Sequence, residues 1–408
     1  MRVLIVSQYF WPENFQINDV AKSLLAKGVE VEVLTGKPNY PAGKVFAGYR
    51  AGGCQQETWQ GINIHRVPLV PRGKGGWRLA PNYLSFVISG MLCAPWLLRG
   101  KKFDVIFVFA MSPILQAIPA IFLGWIKRSP VVVWVQDLWP ESLSATGHVK
   151  NKVILGLVER VVRFIYKHTA LLLVQSKAFI APVGALASAT PVKYFPNSVD
   201  QSFTMRSTAK VPDVQGLDNR FSVMFAGNIG TAQAVQVIVE AATLLKEHAD
   251  IQFVVLGEGS CRERMSQQAK ECQLTNLHLP GRYPVETMPG FMQKASVLLV
   301  TLADQEIFAA TVPSKVQAYM AAGRPILACL NGEGARLVNE AKAGLAVPAE
   351  DGPALAAAVL RLYRMPEAER EQMGTNGREY FKMHFDNELL IGQLIGHLRE
   401  VSKLKREK

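Results

Sequence analysis

Residues 221–242 read FSVMFAGNIGTAQAVQVIVEAA, and this stretch decides the fold. Its first part, through Val223, Phe225 and Ala226, is an apolar run of the kind that forms a strand buried on both faces. Its last part repeats apolar residues at helical spacing from Val235 to Ala242. Between them lies Gly227-Asn228-Ile229-Gly230-Thr231. Two glycines let the chain turn sharply and approach a ligand, and Thr231 is expected to cap the helix that follows. Unpaired amides at such a helix start attract an anion. A plain strand-to-helix turn with packing glycines reads the same way in isolation, so the functional reading depends on the rest of the chain.

Strands and helices alternate on both sides of this unit. Upstream stand the strand-like runs RVLIV, VEVEVLT, INIHRVPLV, DVIFVFA, PVVVWVQ, LLLV and KYFPN. Helices are expected among them at about Asn18–Lys27, Leu79–Leu98 and Pro113–Ile126. Downstream follow IQFVVLG, LHLPG, VLLVT, PILACL and GLAVP. Near-continuous apolar strands separated by helices predict an α/β protein with parallel sheets covered on both faces. At 408 residues the chain exceeds one ordinary core, so two Rossmann-like domains are expected, 1–200 and 201–375. The polar stretch Asp200–Asn219 is the expected linker, and residues 376–408 read as helical and increasingly charged.

The five cysteines are odd in number, widely spaced and without a C-x-x-C pair. That argues against a disulfide framework or zinc site and for a reducing, cytoplasmic setting. The apolar run in MRVLIVSQYF is far shorter than the core of an export signal and reads as a first strand. Residues 1–200 hold 22 Lys and Arg against 10 Asp and Glu, while residues 201–408 hold 23 of each, so the first half carries the whole net charge of +12. The basic residues do not lie in an Arg-rich helix or alternate with stacking aromatics, which disfavours nucleic acid. An anionic membrane or a phosphorylated lipid fits the charge. A dinucleotide enzyme would need G-x-G-x-x-G after the first strand, where the chain has Ser7-Gln8-Tyr9-Phe10-Trp11-Pro12.

The ordered set YFWPENFQIND, TGKPNYPAGKVFAGY, WVQDLWPES, FPNSVD, FAGNIGTAQ, LPGRY and TVPSKVQAYMAAGRPIL resembles glycosyltransferase family 4 over nearly the whole chain. Within that family it is similar to the L-fucosamine (N-acetyl-L-fucosaminyl) transferases that build O-antigen and capsule repeat units. The resemblance implies the GT-B fold: two Rossmann-like domains with parallel sheets facing across a cleft, and a final helix, here 376–408, crossing back to the first domain. It implies a UDP-sugar as donor in the second domain, the acceptor against the first, and retention of configuration with no metal or other cofactor. An undecaprenyl-diphosphate-linked saccharide is the expected acceptor, and a cytoplasmic enzyme peripheral to the membrane the expected setting.

Without a metal, the leaving diphosphate must be stabilised by backbone amides, helix N-termini and cations. No D-x-D triplet occurs, which agrees with a metal-free site. Gly227, Asn228, Gly230, Thr231 and Gln233 line the first turn. Val312, Pro313, Ser314 and Lys315 form a second loop entering a helix, and Lys315 is the expected cation. A cation in a first helical turn opposes the helix dipole unless an anion sits nearby. The family's Glu-x7-Glu pair falls here on Ala310 and Ala318, with Glu306 four residues upstream, and its phosphate-gripping basic residue falls on Gln233. Arg282 in LPGRY lies where the resemblance puts the uracil base.

In the first half, Asp137 stands at the end of VVVWVQ, where parallel sheets place ligand contacts, and Glu141 follows. Capping of a following helix is the alternative role for Asp137. Glu13, Asn14, Asn18 and Asp19 resemble the family loop that approaches donor phosphate and acceptor, with capping as the alternative for Asn18. Asn197 lies past a strand at the domain junction, where a turn residue would look the same. His148 and His168 have no metal-ligand spacing and read as structural. The stretch Trp77–Lys102 is long enough to span a bilayer, but Pro81, Asn82, Ser85, Ser89 and Pro95 interrupt it. It is expected to lie on the membrane surface instead, flanked by Arg72, Lys74, Arg78, Arg99, Lys101 and Lys102. Two rivals remain at this stage. An epimerase on the same fold would need paired carboxylates, and a non-catalytic nucleotide-sugar-binding protein would explain Ala310 and Ala318.

Overall fold

The computed structural model describes residues 1–73, 79–145, 151–199, 203, 211–217 and 220–404. The chain forms two compact units, Met1–Pro196 with Glu388–Lys408, and Asn197–Asn387. Lys74, Arg78, His148 and most of the expected linker lie outside the described residues.

The first unit holds β1 (Arg2–Val6), β2 (Glu30–Thr35), β3 (Gln55–Trp59), β4 (Ile62–Arg66), β5 (Val105–Ala110), β6 (Val131–Val135), β7 (Leu171–Val174) and β8 (Val192–Tyr194). They form one sheet in the order β3-β4-β2-β1-β5-β6-β7-β8. Every pairing is parallel except β3 with β4. The polar QQETW of β3 gives no apolar run, because an antiparallel edge strand buries little, and the sequence reading passes over it. The helices are α1 (Gln16–Ala26), α2 (Leu79–Leu97), α3 (Ala117–Lys127), α4 (Glu141–Ala145), α5 (Lys152–Lys167) and α6 (Ile180–Ala187).

Strands β1, β5 and β6 are apolar throughout because helices cover both faces. One face packs Val3, Ile5, Phe107 and Trp134 against Ile17, Val20 and Leu24 of α1. The other lies under α2, α3, α5 and α6, which pack in series, α2 on α3, α3 on α5 and α5 on α6. Right-handed crossovers dictate this division, since the chain runs from β1 toward one edge and from β5 toward the other. Lys101 is a correction to the expected ring of lipid-facing cations. Its amine turns inward to Glu32, 2.6 Å away, and that carboxylate also meets His65 at 2.7 Å. A buried carboxylate needs such partners.

The second unit holds β9 (Phe221–Ala226), β10 (Ile251–Leu256), β11 (Leu277–Gly281), β12 (Val297–Thr301), β13 (Ile326–Cys329) and β14 (Gly344–Val347). They run all parallel in the order β11-β10-β9-β12-β13-β14. Its helices are α7 (Gln236–Leu244), α8 (Arg262–Glu271), α9 (Met288–Lys294), α10 (Glu306–Ala309), α11 (Ser314–Ala322), α12 (Glu333–Glu340), α13 (Gly352–Arg364) and α14 (Glu367–His384).

The terminal segment begins later than residue 376. Gly374 and Gly377 of α14 lie against Gly323 and Met320 at the end of α11, so α14 stays with the second unit. Only α15 (Asn387–Leu404) carries the chain into the first, where Leu390, Ile391, Leu394 and Leu398 join the core beneath α1. Leu394 is fully buried there. Leu394→Ala is expected to lower the stability of the first unit by about 2–5 kcal/mol, read from its denaturant-unfolding transition; an unchanged midpoint would show that α15 adds nothing to this core.

Candidate functional site

Both sheets reverse their strand order at one point, β1 beside β5 in the first unit and β9 beside β12 in the second. The carboxyl ends of strands at such a point form a natural ligand crevice. Several of the sequence-selected residues, Asp137, Gly227 and Lys315 among them, lie near these two places, and others do not.

In the second unit, Gly227 leaves β9 with φ at +138° and donates its N–H to Leu256 O. A Cβ there would stand 2.6 Å from Lys315 Cε and 2.8 Å from its Nζ, so glycine makes room for that side chain. Asn228 donates to Gln233 Oε1 at 3.1 Å. The turn is also anchored from β12, where Thr301 Oγ1 donates to Gln233 O and Ala303 N to Ala232 O.

Thr231 does not cap the following helix. Residues Thr231–Gln233 form a short 3-10 turn, Ala234 takes a left-handed conformation, and α7 starts only at Gln236. The expected anion-binding helix start at Thr231 is therefore replaced by a loop pinned to β12. A second loop, missed in the sequence, crosses under this turn. Gly257 and Gly259 after β10 lie so close that a Cβ would overlap Gly227 O and Ile229 O. The G-E-G triplet was the available signal.

Lys315 stands in the first turn of α11, with Pro313 as the capping residue and no side-chain cap. Val312 is buried and Ser314 exposed. Helix α11 is fixed to the end of β9 by Tyr319, fully buried, whose hydroxyl accepts from Ala226 N at 3.2 Å. Gln317 Nε2 donates to Asn197 O at 2.7 Å, so Asn197 is a brace of α11 through its backbone. The Lys315 amine lies 3.5 Å above the centroid of the Phe225 ring. It is out of reach of solvent and has no hydrogen-bond partner among the described residues. Burial pulls its pKa down to about 7. Arg282 is exposed past β11 and touches none of these groups among the described residues. Glu306 is exposed at the start of the four-residue α10, while Ala310 follows that helix and Ala318 is buried in α11.

In the first unit, Asp137 follows β6. Its Oδ2 accepts from Ser112 N at 3.0 Å and Ser112 Oγ at 2.8 Å, in the loop that follows the neighbouring β5. Burial raises its pKa, against those two bonds. The carboxylate thus serves the β5 loop and does not cap the next turn. The adjoining Gln136 Nε2 and Trp139 Nε1 are buried donors without partners. Glu13 is a bracket: its Oε1 accepts from Asn39 N at 2.7 Å and Tyr40 N at 2.6 Å, and burial raises its pKa. Asn18 is no cap either. It reaches back from α1 to Glu13 O at 2.7 Å and accepts from Trp11 N at 3.2 Å, holding the β1 loop in shape. Asp19 pairs with Lys22 at 2.6 Å, Asn14 is exposed, and Glu141 opens α4.

The cluster nearest the β1–β5 switch point contains residues the sequence reading did not select. Tyr9, Phe15 and Tyr40 form an aromatic group with ring centroids 5.2–5.7 Å apart. Arg72 lies over Tyr40, 5.2 Å from its centroid. These are single residues in irregular loops, with no periodicity to mark them.

Two such parallel α/β units, each with its polar cluster at the topological switch point, are the architecture of the GT-B class. Residues 14–198 match the Glycosyl transferase 4-like domain and residues 220–365 match Glycosyl transferases group 1; the chain belongs to this family of glycosyltransferases. It is 26% identical to a probable glycosyltransferase, WbjE, of Pseudomonas aeruginosa over 74% of each chain. It is 24% identical to the putative colanic acid biosynthesis glycosyl transferase WcaI of Escherichia coli (strain K12), over 98% of this chain and all of the other. Among solved structures, Anabaena HepE in complex with UDP and glucose shares the fold with a TM-score of 0.69, at 16% identity over 98% of this chain and 100% of that one.

The desolvated Lys315 sets a pH dependence. Above about pH 7 the native amine is neutral, while in the unfolded chain it stays charged up to its ordinary value of 10.5. The unfolded state therefore binds more protons in that window, and Lys315 makes stability rise with pH between those values. Below it the folded state carries the full cost of a buried charge. Lys315→Met is expected to stabilise the second unit at pH 6 by on the order of 1–3 kcal/mol and to flatten the rise between pH 7 and 10. Equal stability of variant and wild type at pH 6 would show the amine to be solvated.

Proposed function

We propose that this enzyme is a retaining transferase that moves a sugar from a UDP-sugar to a lipid-linked saccharide in bacterial surface-polysaccharide assembly, without a metal. The observation that carries this reading is the buried, unpartnered amine of Lys315 behind the Gly227 turn. A cation held away from water with no counter-charge is stabilised by an arriving diphosphate, and in a low-dielectric site that attraction is strong. UDP is the nucleotide held by HepE, and WcaI carries polysaccharide biosynthesis in its name. The similarity of the ordered motifs to L-fucosamine transferases narrows the donor to UDP-N-acetyl-L-fucosamine or a related hexose.

In the proposed reaction the bond from the anomeric carbon to the diphosphate breaks, and the electron pair leaves with UDP. The acceptor hydroxyl attacks on the same face, and its proton passes to the departing phosphate oxygen. Lys315, the amides of Asn228, Gly230 and Thr231 and the uncapped start of α11 stabilise the charge that develops on UDP. Asp137, held by Ser112 through one oxygen, orients the acceptor with the other.

The direct assay offers UDP-, GDP- and dTDP-sugars with a polyprenyl-diphosphate-linked acceptor. Expected is lipid-extractable product from a UDP-sugar only, insensitive to EDTA and reduced by roughly a hundredfold in Lys315→Ala, by the scale of losing one charge-stabilising donor. Product from another nucleotide, or a requirement for added magnesium, would reject the reading.

Membrane association is part of the same proposal. No helix among the described residues is long and apolar enough to cross a bilayer. Helix α2 nevertheless exposes Leu84, Ile88, Leu92 and Trp96 at four-residue intervals, with Leu92 at 74% and Trp96 at 70% of full exposure. The neighbouring α3 and α5 expose Trp125, Ile126, Val153, Ile154 and Leu157. Arg99, Arg128, Arg160 and Lys167 are exposed on the same helices or at their ends. An amphipathic layer of this kind binds anionic lipid through apolar burial plus about 1 kcal/mol per basic residue near the surface. The protein is expected to co-sediment with phosphatidylglycerol vesicles and scarcely with phosphatidylcholine ones, with partial release at high salt. A Leu92→Glu, Trp96→Glu, Leu157→Glu variant should remain in the supernatant. Wild type that stays there at low salt would remove the membrane from the proposal.

A further inference from the structure

Arg72 is unlike the other buried or half-buried basic side chains of the first unit. Arg66, fully buried nearby, is saturated by Glu57 and by the carbonyls of Gly36 and Trp11. Lys37 is bonded to Gln55 and Lys101 to Glu32. Arg72 has a defined place, because its backbone N donates to Asn39 Oδ1 at 3.0 Å and its guanidinium lies over Tyr40. Its charge also acts on Tyr9 and Tyr83. No carboxylate contacts it among the described residues. A planar guanidinium ordered among tyrosines and left without an anion is suited to bidentate recognition of phosphate.

Its surroundings narrow the ligand. The Asp137 carboxylate is among the charges that act on Tyr83, so it stands in the neighbourhood of the cup. Burial raises the pKa of Tyr83, which keeps its hydroxyl protonated and able to donate to a phosphate oxygen, while the buried Tyr9 hydroxyl is held by Asn82 and Gln8 and serves as the floor of the cup. Tyr83 stands in the first turns of α2, and the next residue, Leu84, begins the exposed apolar ridge through Ile88 and Leu92 to Trp96. Twelve helical residues extend about 18 Å. An anion-binding cup thus sits at one end of an apolar ridge, matching a ligand with a phosphate head and a hydrocarbon tail.

We propose that Arg72, with Tyr40 and Tyr83, grips the diphosphate of a polyprenyl-diphosphate acceptor, whose prenyl chain runs along the Leu84–Trp96 ridge. This deepens the acceptor reading above and rests on it. The grip fixes the acceptor by its lipid diphosphate, leaving Asp137 to the sugar hydroxyl.

The test is equilibrium binding of farnesyl diphosphate, farnesol, inorganic pyrophosphate and UDP to the full-length protein, in wild type, Arg72→Gln and Arg72→Lys. Wild type is expected to bind farnesyl diphosphate more tightly than farnesol or pyrophosphate. Arg72→Gln should lose about tenfold or more for farnesyl diphosphate, the scale of a charge-assisted bidentate contact, while farnesol and UDP binding and the melting temperature stay unchanged. Arg72→Lys, which keeps the charge without the fork, should fall between the two. Undiminished farnesyl diphosphate binding by Arg72→Gln, or a wild type that does not prefer the diphosphate to farnesol, overturns the proposal. Arg72-dependent binding in a protein that transfers no sugar to lipid would uphold the cup and reject the function proposed above.

Discussion

The second unit depends on one electrostatic constraint, the Lys315 amine held over Phe225 with no counter-charge. A buried cation without a partner is costly, and the molecule keeps it by fitting several other elements around it. Gly227 leaves the space that the lysine side chain occupies, Tyr319 ties α11 to the end of β9, and Gly374 and Gly377 allow α14 to lie close behind α11. The lowered pKa is the expected result of that desolvation. A group tuned in this way at a topological switch point marks a functional site more strongly than either glycine of the turn.

The first unit is organised by a different device, buried hydrogen bonds that shape three loops at the ends of β1, β2 and β6. Glu13 and Asn18 hold the β1 loop to the β2 loop, and Ser112 holds Asp137. These polar groups act as a frame, so the residues expected to meet a ligand directly are in part its scaffold. What they frame is the tyrosine cluster with Arg72, beside the carboxylate of Asp137.

Much of the fold was legible because parallel strands covered on both faces must be apolar throughout. RVLIV, DVIFVFA, PVVVWVQ and IQFVVLG announce themselves for that reason. Strand β3 did not, since a polar edge strand carries no such signal, and the terminal segment was misjudged because α14 and α15 are both amphipathic while their partners are set by tertiary packing. Lys315 and Asp137 were legible as candidates from residue type and position at strand or helix ends. The start of α7 was not, since the left-handed Ala234 and the bonds from Thr301 and Ala303 that fix the turn come from β12 and its loop, some seventy residues away. Tyr9 was silent for the same reason, and Arg72 was read only as a cation flanking the membrane-surface helix, because loops of unrelated sequence carry them to the tyrosine cluster.

The most direct test of the account is a crystal structure with UDP bound. The account places the diphosphate within hydrogen-bond distance of Lys315 Nζ and the amides of Asn228, Gly230 and Thr231, with the amine drawn away from the Phe225 ring. A diphosphate bound elsewhere, with Lys315 still buried over Phe225, would contradict it.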